Sequence, residues 1–225
     1  MKLCTHLAVA TALSMIFAGL SVAGPVIDRV VTNVNGHVVL LSDWEEEIAF
    51  EALVNGRSPE SFTSEERAVA LNRLIDQELL REQVRPGQGS PASEVQARVA
   101  DVRKLQPDAA TEQGWHAALQ RYGLTQGALE KRLSDEMQLM RLVEDRLRPS
   151  IQVDQQAIER YYRDQLLPDI KKTGGSAKPL TEVYGKIKDL LAEQKMNELL
   201  TGWLESLRSG SQIQNPPLKG EEGNR

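Results

Sequence analysis

The residues able to do chemistry in this 225-residue chain are few and far apart. Beyond the opening apolar stretch there are two histidines, His37 at a strand start and His116 on a polar helix. Neither has a His four residues away, a nearby Cys or a third donor at metal-ligand spacing, so the pattern points to no metal centre. The chain has no Gly-x-Ser-x-Gly turn to raise a nucleophilic serine. It has no glycine-rich loop to cradle phosphate or dinucleotide. Glu45-Glu46-Glu47 falls where a helix begins, and carboxylates there face the positive helix end in solvent. They do not form an acid/base pair. The segment from Thr125 to Leu133 faintly resembles a DNA-recognition helix, but 32 acidic against 27 basic residues oppose nucleic-acid binding. No cofactor is expected, and the sequence offers no catalytic constellation.

Composition defines what positions the remaining side chains. Aromatics make up 4%, while Leu, Glu, Gln, Arg and Ala abound, which favours helices over a β-sandwich. Lys2 followed by uncharged, apolar residues 7–20 and then Ser21-Val22-Ala23 has the three-part pattern of a secretory signal peptide cleaved after Ala23. Residues 1–23 are therefore expected to be a leader, and that apolar run is short of the roughly 20 residues that span a bilayer. Its removal takes away Cys4, the sole cysteine, so the exported protein has no disulfide framework. No later segment approaches membrane length, and no stable membrane insertion is expected.

Residues 27–34 and 37–41 are β-branched and flank Asn35-Gly36, two residues that accept positive φ, so a β-hairpin is predicted. A hairpin is not stable alone, and its apolar face must dock on helices. Ser42 and Glu45 have capping-box spacing, predicting a helix to about Val54 that Asn55-Gly56 ends. Thr63 and Glu66 repeat the signal ahead of Ala68, Leu71, Leu74, Ile75 and Leu79, which share one face. Arg85-Pro86-Gly87 breaks that helix. Two short, Gln-rich helices follow, from Pro91 to about Leu105 and from Thr111 to Tyr122. Their few anchors (Val95, Val99, Val102, Trp115, Leu119) suggest a hairpin projecting from the core.

Gly123 closes the hairpin, and Thr125 caps a helix with Leu129, Leu133, Met137, Met140, Val143 and Leu147 on one stripe. Asp154 caps another, through Tyr161-Tyr162 to Leu167, and residues 168–179 read as loop. A long helix from Thr181 to about Leu207 carries Leu180, Tyr184, Ile187 and Leu191. After a one-residue drift Met196, Leu200, Trp203 and Leu207 continue the stripe. Gly202 within it costs about 1 kcal/mol relative to Ala, which suggests close packing. Residues 215–225 are polar with two prolines and are expected to be disordered.

Five stretches, in order, resemble one family. V-T-N-V-N-G-H-V-V-L-L-S-D at 31–43 is similar to the opening hairpin and Ser-Asp cap of the SurA family of periplasmic chaperones. L-N-R-L-I-D-Q-E-L-L at 71–80 resembles its L-x-x-L-I-x-x-x-L-L helix, and Y-G-L-T at 122–125 its glycine break. I-Q-V-D-Q-Q-A-I-E-R-Y-Y at 151–162 resembles its short strand and Tyr-Tyr helix. The C-terminal helix and residues 211–214 resemble the elements that return to the N-terminal module.

The resemblance implies a mainly α fold, a single helical module over residues 24–214 whose N-terminal hairpin is joined by a C-terminal strand, the long last helix completing that module. Typical members insert a parvulin prolyl-isomerase domain of roughly a hundred residues before the last helix. Here residues 167–180 are the connector, too short for a catalytic domain. The implied role is an ATP-independent periplasmic holdase for unfolded or nascent exported polypeptides, outer-membrane protein precursors among them. Met137, Met140, Tyr161 and Trp203 are the candidate client contacts, since methionine adapts to varied partners. Core filling by the same four is the competing reading. Prolyl isomerisation, and a non-catalytic subunit of an envelope complex, are the alternatives, and a homodimer formed by exchange of an element is compatible with the pattern.

Overall fold

A computed structural model describes residues 28–85 and 89–215. The Ala23 cleavage position, Pro86-Gly87 and the tail beyond Asn215 lie outside the described residues. The hairpin forms as expected: β1 (Val30–Val34) pairs antiparallel with β2 (His37–Leu40). Asn35 and Gly36 turn at φ 53° and 94°, and the Asn33 side chain accepts from the Gly36 N–H at 2.8 Å. The far edge of β1 is taken by β3 (Ile213–Gln214), giving the order β2-β1-β3. Asn35 fastens that closure, donating its backbone N–H to the Gln212 carbonyl and accepting the Gln212 N–H on its side chain.

β2 runs directly into α1 (Leu41–Val54), which moves the helix start two residues earlier than the S-x-x-E spacing implied. Asp43, not Glu45, reaches back to accept from the Leu40 N–H at 2.8 Å, and the Ser42 hydroxyl donates to Asp28 instead. Gly56, at φ 62°, ends the turn after α1. α2 (Ser64–Arg81) begins with the expected reciprocal cap: Thr63 Oγ1 accepts from the Glu66 N–H, and Glu66 Oε2 accepts from the Thr63 N–H.

The next two helices correct the sequence reading. α3 (Ala92–Lys104) and α4 (Glu112–Arg121) do not project; they enclose the larger core. Val95, Val99 and Val102 meet Trp115, Ala118 and Leu119, and the cluster continues through Phe50 and Leu53 of α1 to Leu129 and Leu133 of α5 (Gln126–Leu147). Few apolar residues suffice because each helix needs only one narrow stripe when partners cover it on both sides. Gly114 permits the tight turn, since a Cβ there would stand 1.9 Å from the Asp108 carbonyl oxygen. Polar atoms inside this core are paired: Gln106 donates to the Leu53 carbonyl at 2.8 Å, and the Tyr122 hydroxyl to the Arg57 carbonyl at 2.9 Å.

α5 holds its expected stripe only at the ends. Leu129, Leu133 and Leu147 are buried, but mid-helix the buried residue is Leu139, while Met140 is 60% exposed. The helix changes partner there, from α1 and α3 to α2, whose Leu74 and Gln77 border the same small cleft as Leu139. Beside this transition a charged pair joins α1 to α5. Glu47 is not in solvent as its place near the helix start implied; it is 1% exposed and ion-paired with Arg132, whose guanidinium also lies 5.3 Å from the Phe50 ring centroid.

Past Pro149, α6 (Gln155–Tyr161) continues through a π-helical turn (Tyr162–Leu166) into α7 (Leu167–Lys172). The expected loop therefore begins after Lys172, not at Pro168. The wider π turn spaces the backbone so that Pro168, near the start of α7, interrupts nothing. The chain then reverses into α8 (Leu180–Ser209), and the Tyr162 hydroxyl donates to the Lys178 carbonyl at 2.7 Å.

α8 is two amphipathic helices end to end. Leu180, Val183, Tyr184, Ile187, Leu190 and Leu191 share one side, whereas Met196, Leu199, Leu200, Trp203, Leu204 and Leu207 lie roughly 180° round the axis. This is a change of face, larger than the one-residue drift read from the sequence. The first half packs with α6, each contributing one fully buried residue, Ile187 and Ile158. The second half docks on the body: Leu207 joins Val34, Ile75, Leu79 and Ile213, and Arg208 bonds Asp76 at 2.6 Å. Gly202 is not a close-packing position, since nothing lies within 4 Å of where its Cβ would be.

Candidate functional site

Where the two faces of α8 exchange, a groove of about 620 Å³ opens between α8 and the segment linking α5 to α6. Its apolar wall is Ile151 and Val153 on one side, Ala192 and Met196 on the other. The positions follow from local structure. Pro149 ends α5 in a single 3-10 turn (Arg148–Ser150), and Asp154 starts α6 by accepting from the Ala157 N–H at 2.7 Å. Between those two fixed points residues 152 and 153 belong to no helix, and the flanking Ile151 (φ −86°, ψ 112°) and Asp154 (φ −81°, ψ 162°) are extended. Ile151 and Val153 are half-buried and Gln152 is exposed, the alternation of a strand.

The rim is charged but nearly balanced. Arg148 is hydrogen-bonded to Glu144, which holds the guanidinium above its ordinary range. Lys188, Asp189 and Glu193 complete the rim, with Asn197. Such a site, apolar inside and polar at the edge, suits a peptide-like ligand rather than an ion. No arrangement here holds a nucleophile next to a base.

The four sequence candidates do not converge on this groove. Met137 packs against the large core. Met140 is exposed on α5. Tyr161 is half-buried on α6, and Trp203 half-buried on α8 with the Arg146 guanidinium 4.6 Å from its ring centroid. Sequence reasoning missed Val153, Ala192 and the groove role of Ile151 and Met196. The available signal was I-Q-V, an alternating apolar triplet placed between a helix-stopping proline and a helix-capping aspartate. His37 lies exposed on β2, 3.5 Å from Glu78, and His116 is exposed on α4. Among the described residues no helix is long and apolar enough to cross a membrane.

Compared with known proteins, the chain matches the family model of the SurA-like N-terminal domain over residues 2–143. No curated protein matches it. The matched stretch takes in the hairpin and α1 to most of α5, and it stops one residue before Glu144, the first residue of the groove. The match spans more than half of the chain, and the chain belongs to the family of SurA-like N-terminal domains.

Proposed function

We propose that the protein is an ATP-independent periplasmic holdase that binds unfolded exported polypeptides, outer-membrane protein precursors among them. Family membership supports a chaperone-like role. The observation that carries the reading further is the groove at the middle of α8, which offers Ile151, Val153, Ala192 and Met196 behind a polar rim. Apolar surface in an open groove covers a client's exposed side chains and releases them without an energy source. On the opposite side of α8, outside the groove, Tyr184 is 37% and Leu190 36% exposed. Among the sequence candidates, Met140 is the freest to meet a client, and Met137 serves the core. Residues 173–179, the link between α7 and α8, leave no room for an inserted isomerase domain, so we assign no catalytic step.

The test is light scattering of a urea-denatured outer-membrane protein diluted into buffer with equimolar chaperone. Suppression by the folded protein, and its loss in Met196→Glu with the far-UV circular dichroism spectrum unchanged, is the expected result. No suppression by the folded protein refutes the proposal.

A further inference from the structure

The walls of the groove account for side chains, but the segment beside it has unused main chain. Ile151 donates its N–H to the Arg148 carbonyl. The N–H and C=O groups of Gln152 and Val153 have no hydrogen-bond partner among the described residues. In the sheet, β1 is paired on both edges and β2 and β3 on one each. Residues 151–153 therefore have the side-chain alternation of a strand, flanked by extended backbone at Ile151 and Asp154, but no neighbouring strand.

We infer that the client binds by adding a β-strand along residues 151–154. This rests on the holdase reading and specifies its substrate: an extended segment with apolar side chains at every second position. A strand laid beside Ile151 and Val153 sends alternate side chains the same way as theirs, toward Ala192 and Met196, and fills the rest of the groove. Main-chain pairing gives affinity that is indifferent to sequence, and the apolar wall selects only for alternation. Transmembrane β-strands of outer-membrane barrels have that pattern over about ten residues.

The charges favour the same occupant. With Arg148 satisfied by Glu144, the rim leaves Lys188 facing Asp189 and Glu193, a small excess of negative charge that disfavours acidic segments. The chain's own last ten residues are a poor occupant by sequence. They begin Pro216-Pro217, which lack N–H donors, they have Leu218 as their one large apolar residue, and they include Glu221 and Glu222.

The probe is a ten-residue peptide of alternating Val and Thr with a Lys at each end, labelled for fluorescence anisotropy. N-methylating its amides along one edge removes that edge's hydrogen bonds and leaves every side chain in place. Two peptides, methylated on alternate residues of either register, are compared with the parent against the full-length protein. The expected result is at least a tenfold rise in Kd for one register and less than twofold for the other. Val153→Pro, which deletes one donor and keeps Gln152 extended, should raise the Kd of the parent peptide about tenfold with the circular dichroism spectrum unchanged. Equal losses in both registers, or no binding at 1 mM peptide, overturn strand addition. If scattering is still suppressed in that case, the holdase reading stands without it. A Kd that tightens on removal of residues 216–225 assigns the edge to the chain's own tail and also overturns the inference.

Discussion

Arg132→Met isolates the charge that α1 buries. Glu47 has its side chain 2% exposed, and its hydrogen-bonding partners are Arg132 and, at 3.3 Å, the Gln77 amide. Burial pulls the Arg132 guanidinium below its ordinary pKa, opposed by Glu46 and Asp135, and an arginine is charged at neutral pH. Removing it strands a carboxylate with one neutral donor. Breaking a buried pair from one side costs about 3–5 kcal/mol. Arg132 is 20% exposed, so water partly screens the pair and the lower end applies. Loss of the guanidinium over Phe50 adds about 0.5–1 kcal/mol. The sum is about 4 kcal/mol, and with a urea m value of roughly 2 kcal/mol/M the unfolding midpoint falls by about 2 M. Met fills the volume, which limits any cavity contribution. The double variant Glu47→Leu/Arg132→Met should recover to within about 1 kcal/mol of wild type, because no buried charge remains. Urea titrations followed by circular dichroism give all three midpoints. A loss under 1 kcal/mol for the single variant, or a double variant no more stable than the single one, refutes this account.

Two glycines predict opposite responses to Ala. Gly114→Ala drives a Cβ into the Asp108 carbonyl and should cost about 1–3 kcal/mol, whereas Gly202→Ala, with open space around it, should gain about 1 kcal/mol; thermal melts of the two variants decide. The α2 cap predicts a pH dependence. The Arg57 guanidinium, then the Thr63 N–H, hold the Glu66 carboxyl below its ordinary 4.5. A pKa depressed on folding stabilises above the unfolded value, and that contribution is lost as pH falls below 4.5 through the folded value. Glu66→Gln should therefore flatten the acid limb of the stability curve; an unchanged limb in pH-dependent urea titrations contradicts it.

Local signals were legible wherever one or two residues decide the backbone. Asn35-Gly36, the Thr63–Glu66 box, Gly123, Thr125 and Asp154 all act where their types require. What could not be read was which face of a helix finds a partner. α5 changes neighbours near Leu139, and α8 reverses its apolar side near Ala192, so a single stripe drawn along either misassigns residues. The α3–α4 pair was misjudged because counting apolar residues ignores what covers them. The groove escaped for a related reason: its two walls are some forty residues apart in sequence, and each is unremarkable alone.

The reversal within α8 makes the bearing of one part of the molecule a matter of counting. α6, α7 and the first half of α8 form a strut whose direction relative to the body is set by how many residues separate Leu191 from Met196. An uninterrupted helix transmits that number without loss. One residue more would rotate the first half of α8 about 100° against the second and advance it about 1.5 Å. A length change within residues 192–195 would thus re-aim the groove's own α8 wall, Ala192 among it, against Ile151 and Val153.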